Sequence, residues 1–441
     1  MERYYVRTFG CQMNKHDSER IAGLLESHGM TPADSPETAD VVVFNTCCVR
    51  ENADDRLYGQ VASLKALKTG GRPDVLIAVG GCVGQRDGEL LRKELPHVDV
   101  VFGTHNIDAL PSLLETARLG KPVVQILDEG HGFASDLPSR REDPWHAWVS
   151  ITVGCDNYCS YCIVPYVRGH ERSRPFEEVV AECEQLVEDG VVEITLLGQN
   201  VNSYGRDLYG QPRFAEILRA VARTGVQRIR FATSHPKDLS DETIAAMAET
   251  PQVCDYLHLP VQSGSNRILA AMNRVYTREH YLDLVSKVRA AVPGIALSTD
   301  VIVGFPGETE NDFADTLDLF EQVGFDQAFT FIYSPREGTP AALLSGRVPK
   351  AATQERFDRL VDVVQASAAA GSDRLVGSTQ KILIEGRSKR DAQMLTGRTD
   401  SNKVVHVAVS DAGADVSAGG FLDVEIVQAQ TWFLVGRALL H

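Results

Sequence analysis

The sequence predicts an α/β protein in three parts: an N-terminal open parallel α/β domain, a central incomplete (βα)6 barrel and a small C-terminal β-barrel. Three observations carry this. Strand-like and helix-like segments alternate through residues 1–129. Six strand-plus-helix units follow one another through residues 145–370. Residues 373–441 hold short alternating strands. A chain of 441 residues has room for roughly three domains.

Composition narrows the class. A hydrophobic content of 43% and a charged content of 24% are those of a soluble globular protein. No run of about 18 apolar residues is present, so no membrane span is expected. The N-terminus MERYYVRTFGC enters a strand pattern directly, without the shape of a signal peptide, and a cytoplasmic location is expected. The nine cysteines are odd in number and gathered in short motifs, which in a reducing compartment reads as metal binding rather than a disulfide framework. A net charge of −16 argues against nucleic-acid binding by the surface as a whole. A local basic site remains open, because charges farther than about 8 Å are screened at physiological salt.

In the first part, strands are predicted over residues 4–9, 41–44, 75–79 and 98–102. Helices are predicted over 17–28, where Ile21, Leu24 and Leu25 share one face, and around 53–67 and 87–95. This is the pattern of a parallel sheet with crossover helices. Each of the first three strands runs into a cysteine: Cys11 in GCQMN, Cys47 in NTC and Cys82 in GGC. Sites in open α/β sheets form at the carboxyl ends of strands, so three cysteines far apart in sequence are expected to converge. Glycines beside Cys11 and Cys82 would let the backbone approach a bulky group. The alternatives are three unrelated buried thiols, or a zinc site with an unidentified fourth ligand. Cys48 stands next to Cys47, and adjacent side chains at a strand end point to opposite sides, which favours Cys47 as the ligand. Tyr58 and Phe102 read as core aromatics, with base stacking the alternative. Residues 130–144, polar and rich in Gly, Pro and charge, read as a linker.

The barrel strands are predicted over 149–152, 193–197, 228–232, 256–260, 295–303 and 328–333, each followed by a helix-like stretch. Six units make an incomplete version of the eight-stranded barrel, open on one side, with functional loops at the strand C-terminal ends. The first such loop carries Cys155, Cys159 and Cys162 at a C-x3-C-x2-C spacing, interleaved by Tyr158 and Tyr161. Three thiolates can hold three irons of a cubane cluster and leave the fourth iron open. Zinc is the alternative, although zinc sites of this kind usually pair two C-x2-C units. Later loops at the same face carry Gly198-Gln199-Asn200, Thr233–Pro236, Gln262–Ser265 and Gly304-Phe305-Pro306-Gly307-Glu308-Thr309. Taken alone, the last of these is a turn with a helix start at Thr309 or Glu308. His235 and His258 read as packed, hydrogen-bonded histidines, and Cys183 and Cys254 as structural thiols.

The third part is predicted to form five strands, over 380–385, 393–398, 404–409, 421–430 and 431–439. Within 381–403 stand Lys381, Arg387, Lys389, Arg390, Arg398 and Lys403 against Glu385, Asp391 and Asp400, a net of three positive charges. Small barrels often bind oligonucleotides, and a solvated charged face is the alternative.

The cysteine loop behind a barrel's first strand resembles that of the radical S-adenosylmethionine (SAM) enzymes. The upstream Cys11, Cys47 and Cys82 in their GCQMN, NTC and GGC contexts narrow the resemblance to the methylthiotransferases. So do CDNYCSYCIVPYVRGHERSRP, TSHP, LPVQSGS, GFPGET and GRTDSNKVVH. The resemblance covers essentially the whole chain and makes the C-terminal barrel TRAM-like. It implies two [4Fe-4S] clusters, one on Cys155, Cys159 and Cys162 and an auxiliary one on Cys11, Cys47 and Cys82. It implies SAM both as radical source and as methyl donor. The family's SAM-binding positions fall on Gly198, Gln199, Asn200, Gly304, Pro306, Gly307 and Glu308, with Arg168 and Arg174 as candidates for the SAM carboxylate or RNA phosphate or as surface salt-bridge residues. It implies methylthiolation of carbon 2 of N6-isopentenyladenosine next to the anticodon, with the tRNA anticodon stem-loop as partner and the six basic residues of 381–403 as its contacts. An external one-electron donor and a sulfur source would be needed, and a monomer is favoured. Two sister readings act on threonylcarbamoyladenosine in tRNA or on a ribosomal-protein aspartate. A reading of another class is a noncatalytic iron–sulfur RNA-binding or electron-transfer protein.

Overall fold

The computed structural model describes residues 2–48, 51–130, 132–412 and 416–439, with backbone alone for 51–55. The termini of the first and third predicted parts, residues 1 and 440–441, lie outside the described residues. The first part is a six-stranded sheet of β1 (Arg3–Thr8), β2 (Thr31–Pro32), β3 (Val41–Thr46), β4 (Leu76–Gly81), β5 (Val100–Phe102) and β6 (Val123–Gln125). Its order is β2-β1-β3-β4-β5-β6 and every pairing is parallel. β3 (VVVFNT) and β4 (LIAVGG) are buried at every position, the continuous runs expected of strands covered on both faces. Side-chain alternation divides them. Val41 and Val43 pack with Ile21, Leu25, Leu110 and Leu114, on helices Gln12–Ser27 and Leu110–Arg118. Val42 and Phe44 pack with Leu57, Val61, Val83 and Leu91, on helices Glu51–Ser63 and Cys82–Glu94. β2 and β6 escape the sequence pattern because they are two- and three-residue edge strands without a buried run.

The second part holds β7 (His146–Ser150), β8 (Thr152–Val153), β9 (Arg172–Ser173), β10 (Glu193–Leu197), β11 (Arg228–Phe231), β12 (Tyr256–His258), β13 (Ala296–Val303) and β14 (Gln327–Ile332). Six of these form the barrel, as two parallel three-stranded sheets, β7-β10-β11 and β12-β13-β14. A single parallel bridge, Ile229 to Val253, joins the two sheets. β7 and β14 have no partner across the gap among the described residues, so the barrel is open there. The predicted strand over 149–152 divides: β7 ends at Ser150, and Thr152–Val153 turns aside to pair with β9 in an antiparallel ribbon under the cysteine loop. Outward-facing Val149, Ile194, Leu196, Ile229, Leu257, Leu297 and Val301 form the main core with the surrounding helices.

The third part is a closed barrel of β15 (Thr379–Arg387), β16 (Met394–Arg398), β17 (Val404–Ala408), β18 (Phe421–Ala429) and β19 (Phe433–Ala438), in the order β15-β16-β17-β19-β18. It is latched to the N-terminal end of the (βα)6 barrel. Buried Arg228 donates to the carbonyls of Arg398 (2.8 Å) and Lys381 (2.7 Å) and pairs with Asp400 at 2.6 Å. Buried Arg230 donates to the carbonyl of Thr399 at 2.8 Å. The predicted linker is a packed strap: Gly23 approaches Pro138 so closely that a Cβ there would lie 2.3 Å from the Pro138 carbonyl oxygen. No helix among the described residues is long and apolar enough to cross a membrane.

Candidate active site

β1, β3 and β4 are neighbours, and their C-terminal ends place Cys11, Cys47 and Cys82 side by side. Adjacent strands lie about 4.8 Å apart, so thiols at three consecutive strand ends fall within the span of one small cluster. Gly10, at φ +132°, makes this approach possible. A Cβ there would lie 2.3 Å from Cys47 Cβ. Two asparagines fix the arrangement. Buried Asn14 donates to the Thr46 carbonyl at 3.0 Å, and buried Asn45 donates to the Asn14 carbonyl at 2.8 Å and to Ser18 Oγ at 2.9 Å. The Cys11 thiol donates to Asn14 Oδ1 at 3.3 Å. These asparagines lie in the GCQMN and NTC motifs, but the motif pattern did not reveal that they brace the strand ends against each other.

Cys11 and Cys82 stand at the N-termini of their helices, where partial positive charge favours the thiolate. A hydrogen bond from Cys47 and the charge of Arg168 bring the Cys11 thiol down to about 6. A hydrogen bond from Cys48, with the same arginine, brings Cys82 down to about 7. Cys47 and Cys48 both approach the site. Cys47 lies against Gly10, whereas Cys48 enters the apolar core and still reaches Cys82.

The second set differs electrostatically. Cys155 and Cys162 are half-buried and Cys159 is buried. Burial pushes the Cys155 thiol up to about 11 and the Cys162 thiol up to about 12. Such thiols ionise only against a metal, which must displace their protons. The loop is pinned at both ends. The Cys155 amide donates to the Gly169 carbonyl at 3.2 Å, and the Ser160 amide donates to the Met272 carbonyl at 3.0 Å. A Cβ on Gly154, at φ +82°, would lie 2.0 Å from the His170 carbonyl oxygen. Tyr161 packs inward beside Phe305, Ile268 and Met272. Tyr158 is exposed, at φ +44°, so the two tyrosines do not form one shield. Arg274, which sequence reasoning missed, is buried and donates to Cys159 Sγ at 3.4 Å and to the Pro260 carbonyl at 2.8 Å. A lone arginine outside every motif gave no signal.

Among the described residues, the buried polar atoms without a protein partner include Thr152 Oγ1, Gln199 Oε1, Asn200 Oδ1, Asn202 Nδ2 and Ser234 Oγ. Unpaired buried polar groups are rare and call for a ligand or water. They sit at the C-terminal ends of β8, β10 and β11, and they fit a polar nucleoside ligand. Gly198 lies against Thr152, whose Oγ1 would be 2.2 Å from an added Cβ. The Gly304–Thr309 loop lies next to the cysteine loop through Phe305, and buried Pro306 and Gly307 (φ +82°) shape its turn. Each cysteine set has the chemistry of an iron–sulfur site, three cysteines in each, with the Cys48 thiol also beside Cys82 in the first set. Among the described residues no group of three or more His, Cys, Asp or Glu side chains is placed to hold a single metal ion.

Several expected ligand contacts are paired within the chain. Arg168 is buried and bound to Asp17 at 2.9 Å, on the side of Cys11 and Cys82 and away from the SAM loops. Arg174 is buried between Glu182 and the Ser150 carbonyl, and Glu182 also takes Arg20 from the first part. Glu308 accepts from the Gly304 amide at 3.1 Å and from Arg356 at 2.8 Å, so it braces its own loop. Arg398 pairs with Glu385, and Lys403 lies 3.7 Å from Asp326 with its side chain only 11% exposed. Lys381 lies over the Phe421 ring, with its backbone in the latch. Arg387, Lys389 and Arg390 are exposed on the β15–β16 hairpin. Phe102 is fully buried and Tyr58 donates to Asp87 at 2.9 Å. His235 is buried against Tyr276, and burial takes its imidazole down to about 2. His258 shares a hydrogen bond of 2.8 Å with Ser298 Oγ.

Comparison with known proteins adds three matching family models. The radical SAM superfamily matches residues 149–320, Uncharacterized protein family UPF0004 matches residues 3–103, and the TRAM domain matches residues 373–439. A tRNA-2-methylthio-N(6)-dimethylallyladenosine synthase of Acidothermus cellulolyticus is 51% identical over 99% of this chain and 88% of its own. The like-named protein of Thermobifida fusca is 50% identical over 98% and 88%, and that of Clostridium botulinum 47% over 99% and 97%. Among solved structures, the radical SAM methyltransferase TsrM of Kitasatospora setae aligns with a TM-score of 0.57 at 14% identity, over 83% of this chain and 89% of that one. At that identity the likeness concerns the fold alone.

Proposed function

The chain belongs to the tRNA-2-methylthio-N(6)-dimethylallyladenosine synthase family of radical SAM enzymes, and from that premise we propose that it inserts sulfur and a methyl group at carbon 2 of N6-isopentenyladenosine beside the anticodon of tRNA. It is a transferase that works with SAM and an iron–sulfur cluster. We assign two clusters, one to Cys155, Cys159 and Cys162 and one to Cys11, Cys47 and Cys82. The observation that supports this is the repeated trio: each set has three cysteines at or just beyond strand C-terminal ends. When bound, a cluster on Cys155, Cys159 and Cys162 together with SAM would supply radical chemistry at carbon 2, a cluster on Cys11, Cys47 and Cys82 would supply sulfur, and a second SAM would supply the methyl group.

The chain's own residues then have distinct tasks. Arg274 places a fixed positive charge on Cys159 from inside the barrel, where water does not screen it. Gln199, Asn200, Asn202, Ser234 and Thr152 offer orphaned polar atoms to the nucleoside and carboxylate or amino groups of SAM. Gly198, Gly304 and Gly307 allow close backbone approach, and the Glu308–Arg356 pair holds the loop. Gly10, Asn14 and Asn45 set the spacing of the second set. Residues 1–129 hold the second cluster, 145–370 generate the radical, and the barrel of 373–441 docks tRNA through Arg387, Lys389 and Arg390. The reaction draws on an external one-electron donor and a sulfur source, and the chain acts as a monomer.

Two measurements test the reading. Mass spectrometry of tRNA from a deletion strain should show loss of 2-methylthio-isopentenyladenosine and accumulation of isopentenyladenosine. Persistence of the methylthio form, with loss from threonylcarbamoyladenosine or a ribosomal protein, would reassign the substrate. Iron and sulfide analysis of anaerobically reconstituted Cys155/Cys159/Cys162→Ala protein should retain roughly half the iron of the unaltered chain if both clusters have four irons. Complete loss would reject the second cluster.

A further inference from the structure

Arg168 has no place in the reading above. It stands at the end of the short helix Val164–Arg168 that follows the cysteine loop of the barrel, yet its side chain leaves the barrel. The helix packs Ile163 and Val167 into the apolar core shared with Cys48 and Cys82, and the Val167 carbonyl accepts from Thr104 Oγ1 at 2.7 Å. The guanidinium is therefore held in the first part, 5% exposed, with Asp17 at 2.9 Å, also 5% exposed. Asp17 lies 3.3 Å from His16, whose other nitrogen lies 3.2 Å from Ser135 Oγ. The guanidinium also lies within the electrostatic reach of Cys82 and Cys11, and Cys82 is near enough to accept from it. The neighbouring Gly169 carbonyl holds the Cys155 amide. Two consecutive residues thus touch the two cysteine sets, one by side chain and one by backbone.

A buried ion pair is weak evidence for stability, because desolvating both charges offsets most of their attraction. A well-packed apolar pair would hold the two parts together as well. What an apolar pair cannot supply is a positive charge fixed beside sulfur ligands. Guanidinium has five N–H donors, and one carboxylate does not exhaust them. Net charge and hydrogen bonds to the sulfurs are what set the potential of an iron–sulfur cluster, and groups behind the ligands tune it as strongly as the ligands do.

We propose that Arg168 is the positioning residue that sets the charge, and hence the reduction potential, of the cluster on Cys11, Cys47 and Cys82, with Asp17 as its restraint. The inference rests on the two-cluster reading. Arg168 favours the reduced, more negative cluster and steadies anionic sulfur held there. Asp17 holds the guanidinium in place and partly offsets its charge. The two residues therefore act in opposite directions on the potential, although loss of either breaks the same ion pair.

That opposition gives the test. In the full-length Cys155/Cys159/Cys162→Ala background, reconstituted anaerobically so that only the second cluster is read, potentials are measured by EPR-monitored titration for Arg168→Gln, Arg168→Lys, Asp17→Asn and the Arg168→Gln/Asp17→Asn double variant. Arg168→Gln should lower the midpoint by at least a tenfold change in the oxidised-to-reduced ratio, ~59 mV for a one-electron couple. Asp17→Asn should raise it, Arg168→Lys should stay near the parent, and the double variant should fall between the single ones. Thermal unfolding of the same proteins should move one way for both single variants, since each strands a buried charge, and the charge-balanced double variant keeps a folded protein in the series. Equal shifts of the two single variants in one direction, or no shift with iron content intact, would overturn the inference and leave the two-cluster reading standing. Absence of iron from the background protein would instead reject the two-cluster reading on which the inference depends.

Discussion

At the scale of single residues, cysteines and glycines were legible in the sequence and arginines were not. Cys11, Cys47 and Cys82 announce themselves because each follows a predicted strand, and Gly10 and Gly81 because a thiol beside a positive φ needs them. A charged side chain carries no such mark. Arg168, Arg174 and Arg398 lie in family motifs and look like phosphate binders, but burial decides their use, and each ends on a carboxylate of this chain. His146 shows how a buried titratable group leaves a signature in solution. It is the first residue of β7, its Nε2 lies 3.0 Å from Thr195 Oγ1, and burial takes its pKa down to about 4. Unfolded, it titrates near 6.5. Between those values the unfolded chain binds the extra proton, so stability is complete above pH 6.5 and declines as pH falls toward 4. The contribution is on the order of 3 kcal/mol. Denaturant unfolding at pH 7 and at pH 4.5 should show that slope, and His146→Gln should flatten it. An equal slope in both proteins would place the effect elsewhere.

At the scale of elements, strong burial marks two of the strands that were read well, β10 and β13, and β14 was found without it. β10 matches the predicted 193–197 residue for residue, β13 starts one residue later than predicted, and β14 is shifted by one residue at both ends. β7 was misjudged because Ser150, Ile151 and Thr152 continue the apolar alternation while the backbone changes partners there. Ile151 donates to the Leu197 carbonyl at 2.9 Å, and Thr152 already pairs with Ser173. The cysteine loop was placed correctly at the end of the first barrel strand, but its supports were invisible. They come from Met272, Arg274 and Ala341, more than a hundred residues downstream, and only the closure of the barrel brings them to it. Helix Leu110–Arg118 was missed for a different reason: its stripe, Leu110, Leu113, Leu114 and Ala117, is short and lies next to Pro111.

At the scale of the whole molecule, the three-part order was legible and the attachments between parts were not. The segment GRTDSNKVVH holds Arg398 and Lys403, two of the expected RNA contacts. Its backbone instead meets Arg228 and Arg230 at the floor of the (βα)6 barrel. Arg228 and Arg230 hold the C-terminal barrel through backbone carbonyls and the half-exposed Asp400, so Arg228→Met together with Arg230→Met should release the C-terminal barrel without unfolding it. Small-angle scattering should report a larger radius of gyration, and protease should cut between residues 373 and 379. An unchanged radius with intact activity would mean that other contacts carry the latch.

The latch has a mechanical consequence. The arginines grip the end of the barrel opposite the cysteine mouth, and β13, eight residues long and tilted about 36° to the axis as strands of such barrels are, sets a height of about 21 Å between the two ends. On the proposed reading, RNA seized by Arg387, Lys389 and Arg390 can present a nucleotide at the mouth only if its own length spans that height. The protein then works as a caliper: it selects a position by how far the position lies from the grip, and the bases in between need not be read.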